Sequence, residues 1–149
     1  MTQFANRLQL VRDFILAHPL HRACELAFVQ AADGKAELTF QINDFCASPQ
    51  GTLHGGILYA LMDVACFFAV ATLLPVAQHA VSVDVGTTLL RAGRRGDTVH
   101  LRSQVDRLGR TLAAMRVEAF VIKDGEEKLL ATGHVNKAII DAPERTGKS

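Results

Sequence analysis

The chain has 149 residues, with 16 basic and 15 acidic side chains and a net charge of +1. Hydrophobic residues make up 49% and charged residues 21%, which suits one folded domain over residues 1–149 with a sizeable core and excludes a disordered chain. The even charge and an aromatic content of 6% give no basic field with stacking groups to hold nucleic acid.

In chain order, "FANRLQLVRDFILAH" places Leu8, Val11, Ile15 and Leu16 at helical spacing, which predicts an amphipathic helix over residues 3–17, ended by Pro19. "CELAFVQAADGKAELTFQIN" reads as two strands around an Asp33-Gly34 turn. Residues 43–53, with Pro49 and Gly51, form a loop that delivers the chain to a long apolar helix over residues 55–74. After Pro75 the period changes from 3.6 to 2. "AVSVDVGTTLL" sets Val81, Val83, Val85, Thr87 and Leu89 against Ser82, Asp84, Gly86 and Thr88. "TVHLRSQVDRL", "LAAMRVEAFVI" and "KLLATGHVNKAII" follow as strands, the last two around an Asp124-Gly125 hairpin signal. Residues 141–149 read as a polar, frayed tail.

The apolar run from Ile57 to Leu74 is long enough to test as a membrane span. It is rejected, because Asp63 at its centre would cost about 2.5–3.5 kcal/mol on insertion scales and no basic residue flanks it. The run suits the central helix of a folded core instead. No signal peptide is expected, since Arg7, Arg12 and Asp13 interrupt any apolar stretch at the start. Cys24, Cys46 and Cys66 lack a CxxC spacing and read as free thiols, so a reducing, cytoplasmic location is expected. Helix, two strands, long apolar helix and four strands predict an α+β chain whose antiparallel sheet wraps around the central helix. The outer face of such a sheet, and its edge, need solvent or a partner.

Asp63 is the chemical puzzle. No lysine or arginine lies between His54 and Leu90, and its helical neighbours Tyr59, Ala60, Cys66 and Phe67 offer no ion pair. A buried carboxylate without a partner is costly, which marks it as a candidate functional group. The alternative is a distant arginine or a capped backbone group. At the start of the same helix, His54, Gly55 and Gly56 present N–H groups without intrahelical acceptors, and glycine admits a ligand close to the backbone.

"GTLHGG", an acid nine residues after the histidine, "VSVDV" and "LGRTLA" together resemble the hotdog-fold acyl-CoA thioesterases, nearest to the phenylacetate-pathway (PaaI-like) group, over about residues 24–140. The resemblance implies a hotdog fold, an acyl- or aryl-CoA substrate and a homodimer, often with two dimers forming a tetramer. Coenzyme A would enter as part of the substrate, with no separate cofactor. Asp63 would act as general base on water or attack the thioester directly, and the Gly55 N–H would stabilise the oxyanion. Ser48 stands where many relatives carry an Asn six residues before His54, with Gln50 two residues later; Ser82 matches a position where relatives carry a hydroxyl near the acid. Arg91, Arg94 and Arg95 in "RAGRR", and Arg110 in "LGRT", are candidates for the coenzyme A phosphates, against the alternative of solvated turn arginines. Met62, Phe67 and Phe68 would line an acyl pocket or pack the core.

Helix geometry adds a constraint. Nine residues separate His54 from Asp63 by about 13.5 Å and place them on roughly opposite faces. One helix can hardly put both beside one carbonyl carbon, whereas two antiparallel copies can, which points to a two-fold dimer with shared sites. The histidines have no metal-ligand spacing, and Cys66 reads as a small buried residue. The competing readings are a hotdog hydratase or dehydratase, which needs a His–acid pair, and a non-catalytic acyl-CoA binding protein, which needs no acid.

Overall fold

The computed structural model describes residues 3–142, with side chains from residue 8 onward. Two helices, α1 (Gln3–Leu16) and α2 (Pro19–Ala23), lead into the hairpin β1 (Ala27–Ala32) and β2 (Lys35–Gln41). The long helix α3 (Gly55–Ala71) follows, then β3 (Gln78–Leu89), β4 (Thr98–Leu108), β5 (Leu112–Lys123) and β6 (Glu126–Asp141). The six strands form one antiparallel sheet in the order β1-β2-β4-β5-β6-β3, wrapped around α3. This is the α+β hotdog arrangement that the resemblance implies.

Both tight turns follow from their residues. Asp33 and Gly34, and Asp124 and Gly125, all have positive φ, as a two-residue hairpin turn of the primed type requires. Pro19 does not merely end the first helix. It opens α2 at a position where its missing N–H costs nothing, after a break at Ala17 and His18.

α3 stops three residues short of the expected Leu74. Thr72 caps it: its Oγ1 donates to Ala69 O and accepts the Gly34 N–H, both at 2.7 Å, so the helix end is tied to the first hairpin. Pro75 also disfavours a helical Leu74. Leu74 is nevertheless buried, which explains why an apolar run overstates the helix. At the chain end, Asp141 belongs to β6, so the expected tail begins later; residues 143–149 of it lie outside the described residues.

The core lies between α3 and the concave face of the sheet. Leu61, Met62, Ala65 and Phe68 of α3 pack with Leu101, Met115 and Val117, and Phe68 meets Phe28 of β1 at 5.4 Å between ring centres. Each large side chain buried there contributes about 1.5–3 kcal/mol. Ser103 puts the one polar side chain of that stretch of β4 against the helix, and its Oγ donates to Ala65 O at 2.7 Å. No helix among the described residues is long and apolar enough to cross a membrane.

β3 is an edge strand, and the alternation read from its sequence breaks within it. Its register against β6 shifts by one residue between Ser82 and Asp84. Residues seven apart on a regular strand face opposite sides. The extra residue, Val83, lets both Ser82 and Leu89 reach α3. Val81, Val83 and Val85 are left exposed on this edge strand, whose unpaired backbone is the kind of edge that folded proteins normally cover or blunt.

Candidate active site

Asp63 lies in the middle of α3, where the helix passes β3. Its Oδ1 accepts hydrogen bonds from Ser82 Oγ at 2.6 Å and from Lys137 Nζ at 3.0 Å. Lys137 Nζ also donates to Ser82 Oγ at 2.7 Å, closing a ring of three groups from α3, β3 and β6. The unpaired acid expected from the sequence is therefore paired, and by neither of the alternatives considered. The partner is a lysine 74 residues away, brought in by the β3–β6 register, in which Ser82 and Lys137 face each other.

The ring is lopsided. The Lys137 side chain is 4% exposed and the Asp63 side chain 34%. The carboxylate opens on a cleft of about 310 Å³ lined by Ile15, Val64, Phe67, His79 and Val81. Phe67 lines this cleft, whereas Met62 and Phe68 are fully buried core residues. Cys66 is also buried, and burial pushes its thiol up to about 12, so it stays protonated.

The start of α3 is built from the backbone. His54 has extended φ and ψ and caps the helix, its Nδ1 accepting the Gly56 N–H at 3.1 Å. No described residue accepts from the Gly55 N–H. A Cβ on Gly55 would sit 3.3 Å from Leu89 Cδ1, so this end of the helix abuts the far end of β3. The preceding loop holds itself together: Ser48 Oγ pairs with Thr52 Oγ1 at 3.0 Å, and the Ser48 N–H donates to Thr52 O. Ser48 is thereby engaged inside its own turn, at the glycine end and away from Asp63. Gln50 is exposed.

Arg91, Arg94 and Arg95 are exposed on the segment after β3 that packs on this loop, with the Arg95 N–H donating to Gly51 O. Arg95 pairs with Asp44 at 3.0 Å. A second cleft, of about 350 Å³, lies there between Leu53, Leu58, Leu89, Arg91 and Gly93. Arg110 stands apart, in the β4–β5 turn, where the Ile139 N–H donates to Thr111 O at the Lys137 end of the sheet.

Two site residues escaped the sequence reading, Lys137 and His79. A signal for Lys137 existed: on β6 it shares its face with Val135 and Ile139, so strict alternation already points a lysine inward. His79 carried none, since a histidine at the start of a strand reads equally well as exposed.

Chemically, the acid end supplies an ionisable oxygen beside an apolar cleft, and the glycine end supplies a free N–H at the positive end of a helix. Within one chain, eight residues of α3 hold them about 12 Å apart. The Thioesterase superfamily model matches residues 50–128, the stretch that contains both ends of α3 and β3. The human protein acyl-coenzyme A thioesterase 13 is 30% identical over 115 residues, covering 76% of this chain and 79% of its own. A structure of the phenylacetic acid degradation protein PaaI from Thermus thermophilus is 30% identical and superposes with a TM-score of 0.72, over 81% of this chain and 98% of that one. A thioesterase family protein from Silicibacter pomeroyi, at 24% identity, shares the fold with a TM-score of 0.83 over 93% of this chain and 99% of its own.

Proposed function

Because the chain belongs to the thioesterase superfamily, we propose that it hydrolyses an acyl- or aryl-CoA thioester to the free acid and coenzyme A. The observation that carries this reading is Asp63, held through one oxygen by Ser82 and Lys137 and open to an apolar cleft on its other side.

The active site is completed by a second subunit. α3 and β3 run alongside each other in opposite directions, with Asp63 beside Ser82 and Gly55 beside Leu89. Ser82 and Leu89 are about 23 Å apart along β3 at ~3.3 Å per residue. A two-fold axis beside Val85 and Gly86, with the two β3 edges paired antiparallel, exchanges those positions. It carries Gly55 of the partner subunit to Asp63, and it covers the exposed valines of the free edge. The same operation brings the partner subunit's Arg91, Arg94 and Arg95 towards the Arg110 end, where they would meet the phosphates of coenzyme A.

In this site the acyl group lies in the cleft between Phe67, Ile15 and His79. The Gly55 N–H of the partner subunit polarises the thioester carbonyl. Asp63 either takes a proton from water as the resulting hydroxide attacks the carbonyl carbon, or attacks that carbon itself to give an anhydride that water then opens. In both routes the tetrahedral oxyanion collapses, the C–S bond breaks and coenzyme A leaves as the thiolate. The hydratase reading needs a histidine free to act as a base beside the acid; the same two-fold axis brings the partner subunit's His54 near Asp63, but with its Nδ1 engaged as the helix cap, and His79 lines the cleft without a hydrogen bond to Asp63.

The test is release of free thiol, followed with a disulfide reagent, across short-chain, long-chain and aryl-CoA esters. Turnover of one class, lost in Asp63→Asn, is expected. No thiol from any ester, or hydration of crotonyl-CoA in its place, would overturn the reading.

A further inference from the structure

The mechanism above leaves Lys137 without a task, although burying an ammonium is costly and this one is almost wholly buried. Its hydrogen bonds show where its charge is directed. One N–H reaches Asp63 Oδ1, a second reaches Ser82 Oγ, and Nζ lies 5.7 Å from the centre of the Phe67 ring. Since Ser82 Oγ accepts from Lys137, its single proton is left for Asp63, and it too goes to Oδ1. No described residue donates to Oδ2. The two oxygens of one carboxylate therefore stand in different states: Oδ1 accepts two charge-assisted bonds, at 2.6 and 3.0 Å, and Oδ2 accepts none from the described residues.

We propose that Lys137 is a positioning residue of the thioesterase site, which together with Ser82 clamps Oδ1 of Asp63 and makes Oδ2 the oxygen that receives the proton or attacks the carbonyl. The proposal rests on the thioesterase reading. A carboxylate on a helix can turn about two side-chain bonds, and a reacting oxygen displaced by about 1 Å can lose ~100-fold in rate. Two donors on one oxygen, from two different strands, remove both rotations. The arrangement also assigns Ser82 a supporting part: its proton belongs to the carboxylate and its lone pair to the ammonium, which leaves it unfit as the nucleophile. The other titratable groups around the carboxylate are His79, across the cleft on β3, and Cys66, one turn along α3 and held protonated. Neither is in hydrogen-bond contact with Asp63.

The experiment compares kcat and KM of the full chain for its preferred CoA ester in wild type, Asp63→Asn, Lys137→Met and Ser82→Ala. Methionine fills nearly the volume of lysine, so a cooperative thermal transition is expected, with kcat lowered about 10- to 100-fold and KM within about threefold. A purely structural lysine would lower the fraction of active enzyme and the melting temperature while leaving kcat per folded site unchanged. Full kcat in folded Lys137→Met would overturn the clamp. Should that variant not fold, Lys137→Gln, which keeps an N–H donor without the charge, decides on the same readout, with a loss of about tenfold expected and full kcat overturning the proposal. A Ser82→Ala loss as deep as that of Asp63→Asn would also overturn it, because Ser82 would then be the nucleophile. If Asp63→Asn is itself fully active, the thioesterase reading through Asp63 falls; if Asp63→Asn is dead and Lys137→Met is not, only the clamp falls.

Discussion

The middle and the start of α3 carry equally polar chemistry but are built in opposite ways. At the middle, Asp63 is fixed by side chains of two strands, one of them 74 residues away, and every contact is tertiary. At the start, Gly55 is fixed by its own neighbours: the His54 cap, the Ser48–Thr52 turn and the loop that leads in. The first construction orients a charged oxygen, which would otherwise rotate or seek water. The second needs only to leave one N–H uncovered, which a helix terminus does by default. Substitutions at the two ends should therefore fail differently: at the acid end chemistry is lost while the fold holds, and at the glycine end access or helix stability is lost.

Asp63→Asn tests the acid end most directly. The amide oxygen can still accept from Lys137 and Ser82, but the buried ammonium loses its counter-charge, so the melting temperature should fall by several degrees with the cooperative transition kept, while kcat should fall about 10²- to 10⁴-fold. Steady-state thiol release with a thermal melt checks both halves, and an unchanged kcat removes Asp63 from the mechanism. Gly55→Val tests the other end. Its side chain would crowd the movable Leu89 and, on the proposed mechanism, block the approach of the carbonyl, with an expected loss of about 10²- to 10³-fold.

Mixing those two inactive variants sharpens the comparison into a statement about symmetry. If the chain forms the proposed two-fold dimer, joint unfolding and refolding makes about half the dimers mixed, each with one site in which Asp63 and Gly55 are both intact. Activity should return to roughly a quarter of wild type. Variants that exchange subunits without regaining activity would place the two ends in separate functions. Ser82→Ala should be milder, about a tenfold loss in kcat, because Lys137 still holds Oδ1. The smallest effect belongs to His54→Ala, which deletes the cap on the Gly56 N–H. About 1 kcal/mol and 2–4 °C in melting temperature are expected, with kcat within tenfold. A collapse of kcat at unchanged melting temperature would move His54 from the cap into the chemistry.

Much of this molecule is written locally. The Asp33-Gly34 and Asp124-Gly125 turns follow from which residues tolerate positive φ, and the change from a helical to an alternating pattern at Pro75 marks where α3 gives way to the sheet. The histidine and glycines at the helix start are likewise local, because capping involves groups two residues apart. Arg91, Arg94 and Arg95 are together for the trivial reason that they are adjacent in sequence. Asp63 was recognisable as anomalous because a helix brings known neighbours to it, and none of them is basic.

What tertiary structure alone decided is the resolution of that anomaly. Lys137 meets Asp63 through the pairing of β3 with β6, and Ser82 faces the helix together with Leu89 because one extra residue at Val83 reverses the alternation between them. Strand periodicity identifies which residues share a face only while the register is unbroken. A bulge costs one residue, leaves no strong mark in composition, and turns every side chain beyond it to the other side. The sequence by itself therefore determines the elements, the turns and the position of an acid that needs a partner. The partner, the oxygen it leaves free and the cleft beside it depend on a pairing between strands about fifty residues apart, which no local pattern encodes.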